Sequence, residues 1–149
     1  MSKFTLQVKS TLDKILKDLA NSNGYLGFDI DGSALSADMA ESTDPAIVWS
    51  FHSLEEDTRD PFYRLQFEAA ARTADDVSQY GSVGIQSLLQ STFAVGESFY
   101  VMDYSGVAAP TQVLGEVIIS KLHPGVPVFD NTAGIRGVMV VATVQRFPI

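Results

Sequence analysis

Residues 62–72 read FYRLQFEAAAR, and this alternation constrains the chain more than any other stretch. Tyr63, Leu65, Phe67, Ala69 and Ala71 fall on one face of an extended strand, and Arg64, Gln66, Glu68 and Arg72 on the other. One dry face and one wet face mark an antiparallel sheet, because parallel strands covered on both sides read as continuous apolar runs. Residues 46–54 alternate too, with Ile47, Trp49 and Phe51 opposed to Val48, Ser50 and His52. Further strands are predicted at residues 98–104, 113–122 and 136–147. The last, RGVMVVATVQRF, is apolar on both faces in its middle, so it belongs near the sheet centre.

Two helices complete the pattern. In residues 2–21 the apolar positions Phe4, Val8, Leu12, Ile15, Leu16 and Leu19 recur at three- and four-residue spacing, and Asn23-Gly24 supplies the stop. A second helix is predicted to start at Thr73, with Asp76 three residues on as a capping-box variant. Its inward stripe reads Val77, Tyr80, Gly81, Gly84, Ile85 and Leu88, and it ends near residues 94–97. Between these elements, Tyr25-Leu26-Gly27-Phe28 opens a short strand that gives way to a loop through residue 44. Residues 55–61 form a polar arm, and residues 123–134, HPGVPVFDNTAG, a loop. The order predicts a single α+β domain over residues 1–149, a mainly antiparallel or mixed β-sheet with two helices packed on one face.

The charge is unevenly placed. The net charge is −8, and residues 29–60 account for all of it: nine acids stand there against the single base Arg59. After Glu116 the only acid is Asp130, against Lys121, Arg136 and Arg146. Acidic surface repels a nucleic-acid backbone, so specific nucleic-acid binding is not expected. A chain acidic in one region and mildly basic in another suits head-to-tail pairing with copies of itself, and the same surface charge equally serves solubility alone. The absence of cysteine excludes disulfides and thiolate metal sites. No apolar run approaches the ~18 residues of a membrane span, and the first residues carry no signal-peptide pattern.

One short string points to catalysis. Residues 27–33, GFDIDGS, place Asp29 and Asp31 as the nucleophile and general acid of a haloacid dehalogenase-type phosphatase. That chemistry also needs a lysine, for which Lys121 offers itself, and a later carboxylate for magnesium. Asp75-Asp76 precedes Lys121 instead of following it, and only Asp130 remains downstream. The parallel core such an enzyme requires conflicts with residues 62–72. A calcium loop counted from Asp29 fails as well, with Leu35 and Ala40 at its seventh and twelfth positions. An acidic turn is the better account. His52 and His123 form no close ligand pair, and the chain carries neither a nucleophile elbow nor a phosphate loop. Phe99, Tyr100 and Tyr104 lie on both faces of one strand, which points to a subunit contact or to a second layer within the domain. No catalytic, cofactor or metal residue is assigned.

Element order then carries the functional reading. A leading amphipathic helix, two alternating strands joined by an acidic arm, a second helix opening "TADDV" and a final strand ending "VATVQRF" together resemble a bacteriophage tail-terminator, or tail-completion, protein. The resemblance spans the whole chain. It implies a small non-enzymatic virion protein, present in the host cytoplasm during assembly. Such a protein forms a hexameric ring that caps the tail tube and joins the tail to the head. Its partners are other copies, the tail tube protein, a neck or connector protein and, as a further candidate, the tail sheath, with DNA passing through the ring. In that setting Glu55, Glu56, Asp57, Arg59 and Asp60 of the arm are expected to meet Arg136 or Arg146 of a neighbour. The alternatives are another head–tail connector or neck protein and, from a different class, a small magnesium-dependent phosphatase.

Overall fold

The computed structural model describes residues 3–29, 45–56, 62–72, 82–104, 106, 109–125 and 136–148. Helix α1 spans Lys3–Ser22, one residue past the predicted end. Phe4, Val8, Leu12, Leu16 and Ala20 make one stripe at four-residue spacing, and all are buried. The helix stops as its sequence dictates. Gly24 adopts φ 74°, which lets Tyr25 N donate to Ala20 O at 2.9 Å and Gly24 N to Asn21 O at 3.2 Å. Those two bonds are the Schellman arrangement, and they satisfy carbonyls that the helix end leaves open.

Six strands follow, β1 (Leu26–Asp29), β2 (Ala46–Glu56), β3 (Phe62–Arg72), β4 (Ser98–Met102), β5 (Val113–Gly125) and β6 (Arg136–Arg146). They form one sheet in the order β1-β2-β3-β6-β5-β4. β1 runs parallel to β2 and every other pair is antiparallel, so the sheet is mixed. β6 lies between β3 and β5, the inner place its double-faced apolar run predicts.

A second helix, α2 (Ser82–Thr92), follows β3. Its buried line is Ile85, Leu89 and the following Phe93, whereas Gly84 and Leu88 are only half-buried. The expected stripe was therefore rotated by one residue. Phe67 fixes the phase, because its ring meets Phe93 edge-on at 5.1 Å and 77°. The expected helix start at Thr73, with Asp76, Val77, Tyr80 and Gly81, lies outside the described residues.

Both helices pack on the same sheet face. The core joins Phe4, Val8, Leu12 and Leu16 of α1 and Ile85 and Leu89 of α2 to the odd-numbered residues of β3 and the even-numbered residues of β6. The sheet curls, and α1 closes the curl. Trp49 Nε1 on β2 donates to Asp13 Oδ1 at 2.8 Å, and Met102 N at the end of β4 donates to Thr11 Oγ1 at 3.2 Å. One helix thus ties down both sides of the sheet.

Two details differ from expectation. The opposite face of β3 is not wet along its length, since Glu68 is 1% exposed and Ala70 is buried. The Glu68 carboxylate lies 2.7 Å from His52 Nε2, without the alignment of a hydrogen bond. His52 can reach it because β2 bulges between Phe51 and Ser53. Secondly, β5 runs on through His123, Pro124 and Gly125, which were expected in a loop. There β5 pairs only with β6, and among the described residues its other side has no strand, so a proline costs the ladder little.

The sheet also leaves two positions without room for a side chain, Gly115, whose Cβ would press on Gln145 O, and Gly137. A Cβ on Gly137 would stand 2.5 Å from Ala69 O and 2.8 Å from Ala70 Cβ.

Candidate interaction surface and the acidic turn

The acidic arm begins as an extension of the sheet. β1 reaches only from Ala46 to Trp49 along β2, but the β2–β3 ladder runs on to Glu56 opposite Tyr63. Residues 50–56 therefore form the outer rim of the sheet, with no strand on their far side among the described residues. Glu55 stands exposed on this rim, opposite Arg64 in the strand register. Glu56 ends the strand, and Asp57, Arg59 and Asp60 lie outside the described residues.

The two expected basic partners are separated by the whole length of β6. Arg136 opens that strand, exposed, opposite Ala71. Arg146 closes it, and its guanidinium sits 5.4 Å above the Phe4 ring in a cation–π contact. The register puts Arg146 at the arm's end of the sheet: Glu55 is opposite Arg64, and Arg64 is opposite Thr143. Arg136 is at the far end. Sequence reasoning treated the two arginines as equivalent, and only strand register separates them.

Tyr100 is 56% and Ile118 43% exposed on neighbouring strands, opposite Glu116 and Thr143 respectively. These are large apolar groups on the sheet face away from the helices. Phe99 instead packs against the core.

Of the string GFDIDGS, residues 27–29 belong to the edge strand β1, and residues 30–33 lie outside the described residues. Asp29 is the last residue of β1, with Lys9 Nζ 3.9 Å from its Oδ2. Lys121 stands on β5, with β2, β3 and β6 between, so the proposed lysine and aspartate are not neighbours in the sheet. Asp31, the Asp75-Asp76 pair, Asp130 and the rest of the calcium-loop string lie outside the described residues. Among those described, no three His, Cys, Asp or Glu side chains gather as a metal site.

What Asp29 does touch electrostatically is Asp13, a residue the sequence did not single out. Burial pushes the Asp13 carboxyl above its ordinary 3.8, and the negative charge of Asp29 adds to the rise. The Trp49 N–H, Lys9 and Lys17 pull the other way. The aspartate at i of α1 and a tryptophan on an adjacent strand carry no recognisable spacing, so no local signal reveals this pair. A raised, half-buried carboxylate hydrogen-bonded to a buried indole is a structural anchor with an electrostatic cost, and nothing about it supplies a nucleophile aimed at solvent.

No protein-family model matches the chain, and no curated protein matches it. Among the described residues no helix is long and apolar enough to cross a membrane.

Proposed function

We propose that this chain is a structural subunit that assembles with copies of itself into a ring, and that the ring caps a phage tail tube and joins the tail to the head or neck. The observation that carries the reading is the overhanging β2–β3 ladder. It carries an acidic strand end, Glu55-Glu56, past the last described residue of β1, and among the described residues no strand pairs with that rim. A head-to-tail ring needs a protruding patch on each copy and a different patch to receive it. The likeness in element order to tail-terminator proteins supplies the ring and its place in the virion. The acidic stretch gives a lumen that does not hold passing DNA.

Light scattering of the purified chain, alone and with isolated tail tubes, tests the reading. The expected outcome is a closed oligomer, a hexamer, formed alone or on the tube. Glu55→Lys combined with Glu56→Lys is expected to weaken assembly or docking with the fold intact. A chain that stays monomeric in both settings sinks the proposal. Asp29→Asn separates this reading from the phosphatase alternative, because it leaves assembly unchanged but would abolish magnesium-dependent phosphate release.

A further inference from the structure

A cavity of about 410 Å³ opens between the first turns of α1, the β4–β5 connection and the end of β6. Lys3, Phe4, Gln7, Asp103, Arg146 and Phe147 are among its lining residues. The volume is within the roughly 300–1,000 Å³ of ordinary ligand clefts, enough for a few side chains. Phe4 supplies an aromatic wall with the Arg146 guanidinium 5.4 Å above its ring, and a guanidinium's fork of N–H donors suits a carboxylate. Lys3 adds a second cation, and the first turn of α1 contains no acidic side chain to offset it. Among the described residues, neither Lys3 nor Arg146 takes part in an ion pair.

We infer that this cavity receives the acidic β2–β3 arm of a second copy of the chain. The inference rests on the ring reading and adds the receiving site to it. Charge complementarity selects the occupant. The arm sequence SLEEDTRDP, residues 53–61, carries four acids and one base in a chain whose whole negative excess lies in residues 29–60. Against it the cavity offers Lys3 and Arg146 with Asp103 as the one acid of its described lining. Arg136, the other expected partner, stands at the opposite end of β6 and lines no part of this cavity. A chain's own ladder fixes Glu55 opposite Arg64 and Glu56 opposite Tyr63, and no described residue of the arm lines the cavity of the same chain. The occupant assigned here is the arm of a neighbour, since the described part of a chain's own arm is held on its own ladder. Arm and cavity are different patches, as a head-to-tail contact requires.

The absence of native cysteine makes the test direct, since any disulfide is then the designed one. Glu55→Cys chains are mixed with differently tagged Thr111→Cys chains, in which the exposed Thr111 lines the cavity, under a mild oxidant. The control partner is Thr143→Cys, exposed on the other sheet face. The mixed dimer is expected to form at least roughly tenfold faster with Thr111→Cys than with the control, and more slowly as salt is raised. Arg146→Glu with Lys3→Glu should bring the rate down to the control, and the milder Arg146→Gln should give an intermediate rate. Equal rates with both partners, or rates untouched by the charge changes, overturn the inference. Selective crosslinking without a closed ring in light scattering retains the contact and rejects the ring; a ring with crosslinking only at the control rate does the reverse.

Discussion

Asp13 is the place where removing a charge and removing a hydrogen bond pull in opposite directions. Trp49 is 1% exposed, and its indole N–H donates to Asp13 Oδ1 at 2.8 Å. Asp13→Ala takes the acceptor away and strands a buried donor, which costs about 1–3 kcal/mol. For a domain of this size that lowers Tm by roughly 2–4 °C per kcal/mol. Asp13→Asn keeps a carbonyl oxygen for the indole while discarding a carboxylate whose charged form is disfavoured by burial and by Asp29. At pH 7 the Asn variant is therefore expected to equal or exceed the parent, and to exceed the Ala variant by about 1–3 kcal/mol.

The pH dependence follows from the same residue. Because the folded-state pKa is raised above the ordinary 3.8, the folded chain holds this proton more tightly than the unfolded chain does. The favourable contribution is then fully present at pH below 3.8 and is lost as pH rises through the raised folded value. Any advantage of Asp13→Asn should accordingly shrink as pH falls from 7 toward roughly 4, as the parent carboxyl regains its proton. Urea titrations at several pH values, with unchanged m, measure all three chains. An Ala variant as stable as the Asn variant at pH 7, or an Asn advantage that ignores pH, would refute the argument.

Other substitutions probe the sheet and the core. Gly137→Ala normally gains about 0.4–1 kcal/mol from a stiffer unfolded chain, but here its Cβ would press on Ala69 O at 2.5 Å. The backbone of a central strand cannot retreat, so the net expectation is a loss of about 1–3 kcal/mol by denaturant midpoint; Gly106→Ala, with nothing within 4 Å, is the control expected to be neutral or stabilising. Phe67→Ala empties the position that holds Phe93 edge-on and should cost about 3–5 kcal/mol, measured the same way.

Much of the fold is legible along the chain because its signals are local. The four-residue stripe of α1, its Asn-Gly stop and the two-residue alternation of β2 and β3 each need only neighbouring residues to be read. The phase of α2 was not readable. Gly84, Ile85, Leu88 and Leu89 offer two overlapping stripes, and the choice belongs to Phe67 and the strand beneath it. Glu68 looked like a solvated strand residue because alternation reports which face a side chain takes, not what covers that face.

The candidate surface divides in the same way. Sequence alone determined that acid gathers in residues 29–60, that a polar arm joins two strands and that basic residues follow at the end of the chain. Tertiary structure decided that Arg146 shares the arm's end of the sheet, that Arg136 does not, and that Lys3 and Arg146 line one cavity. It also brought Asp13 to Trp49, 36 residues away. The physical reason is that period and composition are properties of contiguous residues, while strand order and register bring distant ones together, and those are set by how the whole apolar face is buried at once.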